Sequence, residues 1–386
     1  MGNEQQTTSV TEAQSQALHA VVRQLMGTKG VHHALVAVES RDRRFRWTGA
    51  EGIARPDGTP MKATTPFWIA SITKMYIAAA ILILHERQQL AIDDPIVSYF
   101  SRELLDGVHV VDGVDYGKTL TIRHLLRHAS GIPDYLELRV KGEEPLFERV
   151  LAGDDRAWSL TDILEIVRRA NAPLFAPQPL EAKTYRVRYS DTNFQLLIGI
   201  IEKVTGQPIA EAFRTLLFEP LHLRQTSHPG TEPLNPVGPV AAVWAEDKPF
   251  VNKPQAMQSF GDLNSTASDL IEFMRALIDG RVFSKPTTFE LMRDHWNTFG
   301  FALSPIAPGW PIQYGVGMMR FQMPRLFTPF RPLPEVIGHT GAVGSWLFYC
   351  PSLEMILAGT VSQVTAGAVP FKAVPKLLRI LEKSSR

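Results

Sequence analysis

Ser71-Ile72-Thr73-Lys74 is the run from which chemistry can be read most directly. It opens the most apolar stretch of the chain, Met75 to Leu84, directly after the extended, proline-containing segment Thr64 to Ile69, a placement that predicts a helix start. Residues three apart share a helix face, so the Lys74 amine can reach the Ser71 hydroxyl. A serine hydroxyl attacks a carbonyl only when a base removes its proton, and a lysine serves as that base only if its pKa is pushed down. Burial and the positive end of the helix dipole both act in that direction, and this position supplies both. The unpaired N–H groups at the helix start also suit an oxyanion. Alone, the pattern describes many helix caps followed by a solvated lysine, so it needs company before it means catalysis.

Competing chemistries are weaker. No Gly-x-Ser-x-Gly occurs, which removes the nucleophile elbow of an α/β-hydrolase. His124 and His128 have i,i+4 spacing but lack the glutamate of a zinc-protease motif, so they are expected to cap and pack a helix. His32 and His33 are adjacent and on a strand would point to opposite faces. Cys350 is the only cysteine, which excludes an internal disulfide and a cysteine-based zinc cage; it is expected to be a small buried strand residue. No phosphate-binding glycine loop is present, and neither a metal nor a cofactor is expected.

Bulk properties narrow the partners. With 40 basic and 39 acidic residues the formal charge is +1, so no global field draws the chain to nucleic acid or an anionic membrane. Met75 to Leu84 is too short to span a bilayer. Met1 to Ala13 is polar and has neither the basic start nor the apolar core of a secretory signal, so the chain as written is expected in the cytoplasm.

The elements that must position Ser71 and Lys74 follow from periodicity. Leu18, Val21, Val22 and Leu25, and at the other end Val374, Leu377, Leu378 and Leu381, recur at helical spacing. Ala34 to Glu39 and Phe45 to Ala50 read as a hairpin; Tyr314 to Gln322, Gly344 to Cys350 and Glu354 to Gln363 form a second β-rich region. Without a βαβ rhythm, an antiparallel sheet is expected. Between the β regions, residues 72–292 are dominated by helical patterns. The expectation is an α+β chain with a discontinuous mixed domain, 1–65 plus 305–386, and a mostly helical domain, 66–304, inserted between its halves. Arg325 to Pro334 reads as a proline-rich, basic surface loop that could border a site, and Lys141 to Trp158 as solvated surface rather than a lid.

Two further segments give the first motif its company. Ser71-Ile72-Thr73-Lys74, Tyr189-Ser190-Asp191 and His339-Thr340-Gly341 resemble the three signature elements of the class C β-lactamase and DD-peptidase family, which also contains esterases, D-aminopeptidases and transacylases. The stretches Phe67 to Tyr76, Leu120 to Tyr135, Tyr189 to Gly199, Ser265 to Leu277 and Gly338 to Ser345 carry the likeness over most of the chain. The resemblance implies a β-lactamase/transpeptidase-like fold, an antiparallel sheet flanked by terminal helices with an inserted all-helical domain, and an active site at the domain interface. It implies a Ser71 acyl-enzyme, proton relay by Lys74 and Tyr189, and an oxyanion hole from the N–H groups of Ser71 and Ala342. The third motif would form an edge strand for substrate, with Asp191, His339, Thr340 and Gly341 in contact with it.

The departures from the family pattern are specific. His339 stands where β-lactamases have lysine, replacing a fixed cation by a group largely neutral at physiological pH, which lowers the odds of efficient β-lactam hydrolysis. Asp191 stands where the family usually has asparagine, and puts recognition of an acyl amide in doubt. Pro177 to Lys183 replaces a short Pro-Gly turn and is expected to reshape the floor of the site. The function expected is that of a serine hydrolase acting on a small-molecule ester, amide or peptide. A transacylase or a weak β-lactamase is the alternative, and a non-catalytic penicillin-binding sensor ranks last.

Overall fold

Every residue of strand β1, His33–Ser40, is buried, and its side chains divide by parity: Ala34, Val36 and Val38 enter one apolar cluster, Leu35 and Ala37 another. Alternate strand residues face opposite sides, so a strand apolar at both parities must lie in a sheet covered on both faces. The computed structural model, which describes residues 10–250, 253–299, 311–328 and 330–382, has that architecture. The sheet comprises β1, β2 (Arg46–Gly52), β3 (Asn297–Thr298), β4 (Gln313–Tyr314), β5 (Met319–Phe321), β6 (Val336–Gly341), β7 (Ser345–Cys350) and β8 (Met355–Thr360). Its order is β2-β1-β8-β7-β6-β5-β4-β3, and every pairing is antiparallel.

Helix α1, Glu12–Met26, begins at a Thr11 capping box and covers one face through Leu18, Val21, Val22 and Leu25. The carboxy-terminal helix Pro370–Glu382 packs beside it with Val374, Leu377, Leu378 and Leu381. Both terminal helices and the hairpin thus stand where the apolar spacing puts them. The other face receives residues of the insert, which contains α2 (Thr73–Glu86), α3 (Ile122–Leu126), α4 (Leu146–Ala152), α5 (Asp191–Thr205) and α6 (Ala267–Ile278). Helix α6 lies against β1, β7 and β8.

The insert is not all-helical. It holds three two-stranded ribbons, Phe67–Trp68 with Asn264–Ser265, Val110–Val111 with Val114–Asp115, and Val243–Ala245 with Lys248–Phe250. These are too short for a periodicity signal to separate from loop. The stretch expected as one strand over 314–322 also breaks in two, because Gly315 N–H bonds back to Met318 C=O and Gly317 adopts a φ of 62°. A side chain at Gly317 would collide with Ala78 Cβ at 2.4 Å and Lys74 C=O at 2.9 Å, so this turn sits directly on α2.

Sheet and insert are also tied by charge. Arg275 of α6 donates to Glu39 of β1 at 2.7 Å, and their side chains are 4% and 7% exposed. Removing one partner leaves a buried charge uncompensated. Arg275→Met is expected to lower unfolding free energy by about 3 kcal/mol in urea titration, the smaller end of the usual range because Arg46 still pairs with Glu39. Among the described residues no helix is long and apolar enough to cross a membrane.

Candidate active site

Ser71 lies in a 3-10 turn, Ala70–Ile72, that hands the chain from the short strand 67–68 into α2. The reversal is sharp enough to hold Ala70 at φ 48°, a left-handed conformation that costs a non-glycine residue about 1 kcal/mol. Surrounding bonds hold the turn in place: Ile69 N–H donates to Leu263 C=O, Leu263 N–H to Thr73 Oγ1, and Ser345 Oγ to Ile69 C=O, each at 2.9 Å.

Lys74 is buried, with Nζ 3.1 Å from Ser71 Oγ, as the i,i+3 spacing predicts. Its charge state departs from the sequence argument. Burial lowers its pKa, but Nζ forms a contact ion pair with Asp191 Oδ1, and this carboxylate together with that of Asp262 outweighs burial; the net displacement is upward. Lys74 therefore rests as an ammonium. Tyr189 joins from the residues just ahead of α5. Its hydroxyl bonds that of Ser71, and Lys74 Nζ stands 5.1 Å from its ring centre. Burial first, and then Asp191, push the phenol well above its ordinary pKa against the Ser71 hydrogen bond, so it rests neutral.

Asp191 is the first residue of the 15-residue helix α5, where the helix dipole favours a carboxylate. Its backbone N–H donates to Asp134 Oδ2 at 3.0 Å. Burial, and then the neighbouring Asp191, push the Asp134 carboxyl well above the usual carboxylate range. Asp262 is pushed up to about 7 by burial, against the pull of Lys74.

The third motif arrives on β6. His339 is fully buried and neutral, its pKa pushed down to about 3 by burial and the charge of Lys74, in accord with the sequence argument. Its Nε2 lies 3.2 Å from the Tyr314 hydroxyl and its Nδ1 2.6 Å from Thr340 C=O. The expectation that this motif forms an edge strand needs correction: β6 lies inside the sheet. Its ladder to β5 ends at Gly338, and beyond that neighbour Thr340 and Gly341 line the cleft, whereas His339, expected from sequence to touch substrate, is buried and does not line it. At Gly341 an added Cβ would lie 2.1 Å from Ser345 Oγ, 2.6 Å from Ile69 C=O and 3.0 Å from Ala70 Cβ, so the strand touches the Ser71 turn. Ala342 lines the same cleft as Ser71.

The cleft has a volume of about 320 Å³. Trp68, Phe147, Phe260, Phe299 and Phe371 give it apolar walls, while Asp134, Asp191 and Thr340 supply polar atoms near Ser71. Phe147 and Leu151 belong to α4, so part of the stretch 141–158, read from sequence as plain surface, walls the cleft. The segment 177–183 contributes no lining residue; Gln178 C=O bonds His124 Nε2 at 3.0 Å instead. Of the loop 325–334, Leu326 and Phe330 are exposed and none of its described residues lines the cleft.

His124 completes a capping box with Thr121, and His128 packs in the interior, as expected. His128 is nonetheless close to the centre. Its ring lies 4.4 Å from that of Tyr189, and its Nδ1 accepts from Ser190 N–H at 3.2 Å and from Asn193 Nδ2 at 3.1 Å. Sequence reasoning did not single out Asp134, Asp262 or Tyr314. Asp134 and His128 fall within the familial stretch 120–135, which is the signal that was available; Asp262 has no local mark at all.

A model of the Beta-lactamase family matches residues 18–375. Among curated proteins, the chain is 33% identical to Esterase EstB of Burkholderia gladioli over 204 residues, 51% of this chain and 47% of that protein. The chain thus spans about half the length of the curated relatives it matches. Among solved structures, a D-stereospecific amidohydrolase from Streptomyces sp. is 28% identical with a TM-score of 0.68, covering 94% of this chain and 96% of its own. The D-amino acid amidase from Ochrobactrum anthropi SV3, 20% identical, shares the fold with a TM-score of 0.76 over 97% and 100% of the two chains.

Proposed function

The chain belongs to the Beta-lactamase family, and from that premise we propose that it is a cofactor-free serine hydrolase that cleaves a small-molecule ester or amide through an acyl-enzyme on Ser71. The observation that carries this reading is the 3.1 Å approach of Lys74 Nζ to Ser71 Oγ inside a cleft. In this reading the cleft is the interface of the two parts of the chain, 66–304 bringing Ser71, Tyr189 and Asp191 and 1–65 plus 305–386 bringing Thr340 to Ala342.

Acylation starts from the fraction of molecules in which Lys74 has released its proton. The Ser71 hydroxyl proton passes to Lys74 Nζ as Oγ bonds the carbonyl carbon, and the N–H groups of Ser71 and Ala342 hold the oxyanion. Tyr189, hydrogen-bonded to Ser71, gives its proton to the leaving group as the scissile bond breaks and takes one back from Lys74 Nζ, so that the serine's proton ends on the leaving group and Lys74 is again a neutral amine. Water then attacks the ester on Ser71, its proton travelling back through the same pair. A neutral His339 offers no fixed cation to a β-lactam carboxylate, which favours esterase or peptidase activity over β-lactamase activity.

Intact-protein mass spectrometry during incubation with p-nitrophenyl esters, a D-amino-acid amide and a penicillin tests the reading. An acyl adduct on Ser71 with ester or amide turnover is the expected result. An adduct elsewhere, or none with any donor, counts against it. Adding an alcohol or amine acceptor decides between hydrolysis and acyl transfer: a new ester or amide appearing faster than the free acid marks a transacylase.

A further inference from the structure

The titratable groups around Lys74 come from separate parts of the chain. Helix α5 contributes Asp191 and the segment before the strand 264–265 contributes Asp262, while Asp134, in the loop after α3, acts on Asp191. Tyr189 precedes α5, and β4 and β6 bring Tyr314 and His339, with His128 behind Tyr189. The two histidines are held neutral by burial and by Lys74 itself, and the tyrosines keep their protons. The single buried ammonium is therefore matched by the carboxylate in contact with it, Asp191, with Asp262 also attracting it. Farther out, Glu137 and Arg188 line the exposed rim, where opposite charges offset each other and solvent screens both. An asparagine in place of Asp191 would leave Lys74 with a free positive charge beside Ser71. It would also provide an amide donor, whereas a carboxylate only accepts.

We propose that Asp191 determines substrate charge specificity: by pairing with Lys74 it leaves the inner cleft without a free cation among the described residues, so the enzyme selects acyl donors that carry no carboxylate near the scissile bond. This rests on Ser71 being the acylated residue. Asp191 acts through Lys74 and is a positioning residue in the chemistry itself.

Two donors with one leaving group and four-carbon acyl chains isolate the charge: p-nitrophenyl butyrate and mono-p-nitrophenyl succinate. Wild-type kcat/KM is expected to favour the butyrate by at least about tenfold, the scale of one unpaired charged hydrogen bond. In Asp191→Asn that preference should shrink by at least about tenfold. The acid-side limb of its kcat/KM profile should move to lower pH, because Lys74 loses the group that raises its proton affinity. Asp191→Glu, which keeps the carboxylate, should restore both. A purely structural role would lower turnover of both donors alike and leave the limb in place. Equal wild-type use of the two donors overturns the proposal, as does a folded Asp191→Asn that keeps the wild-type ratio and limb. If circular dichroism shows that Asp191→Asn does not fold, the wild-type ratio and Asp191→Glu decide. Ser71→Ala, measured alongside, separates the premises: if it still turns over the butyrate, the acyl-enzyme reading has failed, whatever Asp191 does.

Discussion

Ser71→Ala is expected to lose acyl-enzyme formation entirely and to lower p-nitrophenyl ester turnover by at least about 10³-fold, the scale of deleting the nucleophile from a hydrolase site. Nothing else within the described cleft combines a hydroxyl, an adjacent amine and a phenol in one hydrogen-bonded cluster. The substitution removes one oxygen from a half-buried position and leaves the Lys74–Asp191 ion pair intact, so thermal unfolding should be almost unchanged. Intact mass after donor incubation and a melting curve together check the prediction. Turnover near the wild-type level, from a protein that melts normally, would show that another group carries the reaction.

Gly341→Ala should produce the second large effect, although Gly341 has no side chain to offer. Its new Cβ would meet Ser345 Oγ and Ile69 C=O at 2.1 and 2.6 Å. The hydroxyl could rotate only by giving up its bond to Ile69 C=O, and the carbonyl belongs to the backbone. Relief must come from the end of β6 moving off the Ser71 turn, which in the proposed mechanism carries the Ala342 N–H away from the oxyanion it would hold. Losing one such donor costs about 10²- to 10³-fold in kcat. The protein should still fold, at an overpacking cost of about 1–3 kcal/mol. Because the loss falls on the transition state, kcat should drop more than KM rises; a folded variant with wild-type kcat would mean that the close approach does not set the oxyanion site.

Residues and spacings disclosed much of this architecture. The apolar spacing of Leu18 to Leu25 and of Val374 to Leu381 predicted the two helices, which the structure lays over one sheet face, and the run Ala34 to Glu39 predicted a strand. The ribbons at 67–68, 110–115 and 243–250 stayed hidden because two or three residues cannot establish a period, and α4 gave no sign that Phe147 would wall a cleft. The first motif could be placed at a helix start from its own spacing, yet where the other two lie and how far each reaches into the others was a matter of packing.

What the sequence determined by itself is the local geometry: in a helix, three residues of separation bring an amine to a hydroxyl, so Ser71 and Lys74 meet whatever surrounds them. What only the tertiary structure decided is the charge on that amine. Burial and the helix start, both visible in the sequence, argued for a depressed lysine; Asp191 and Asp262, distant in the chain and brought beside Lys74 by α5 and the segment before 264–265, reverse the sign. Hydrogen-bond reach within a helix is fixed by its pitch, whereas a Coulomb interaction depends on through-space distance and on the surrounding medium, and both exist only once the chain has folded.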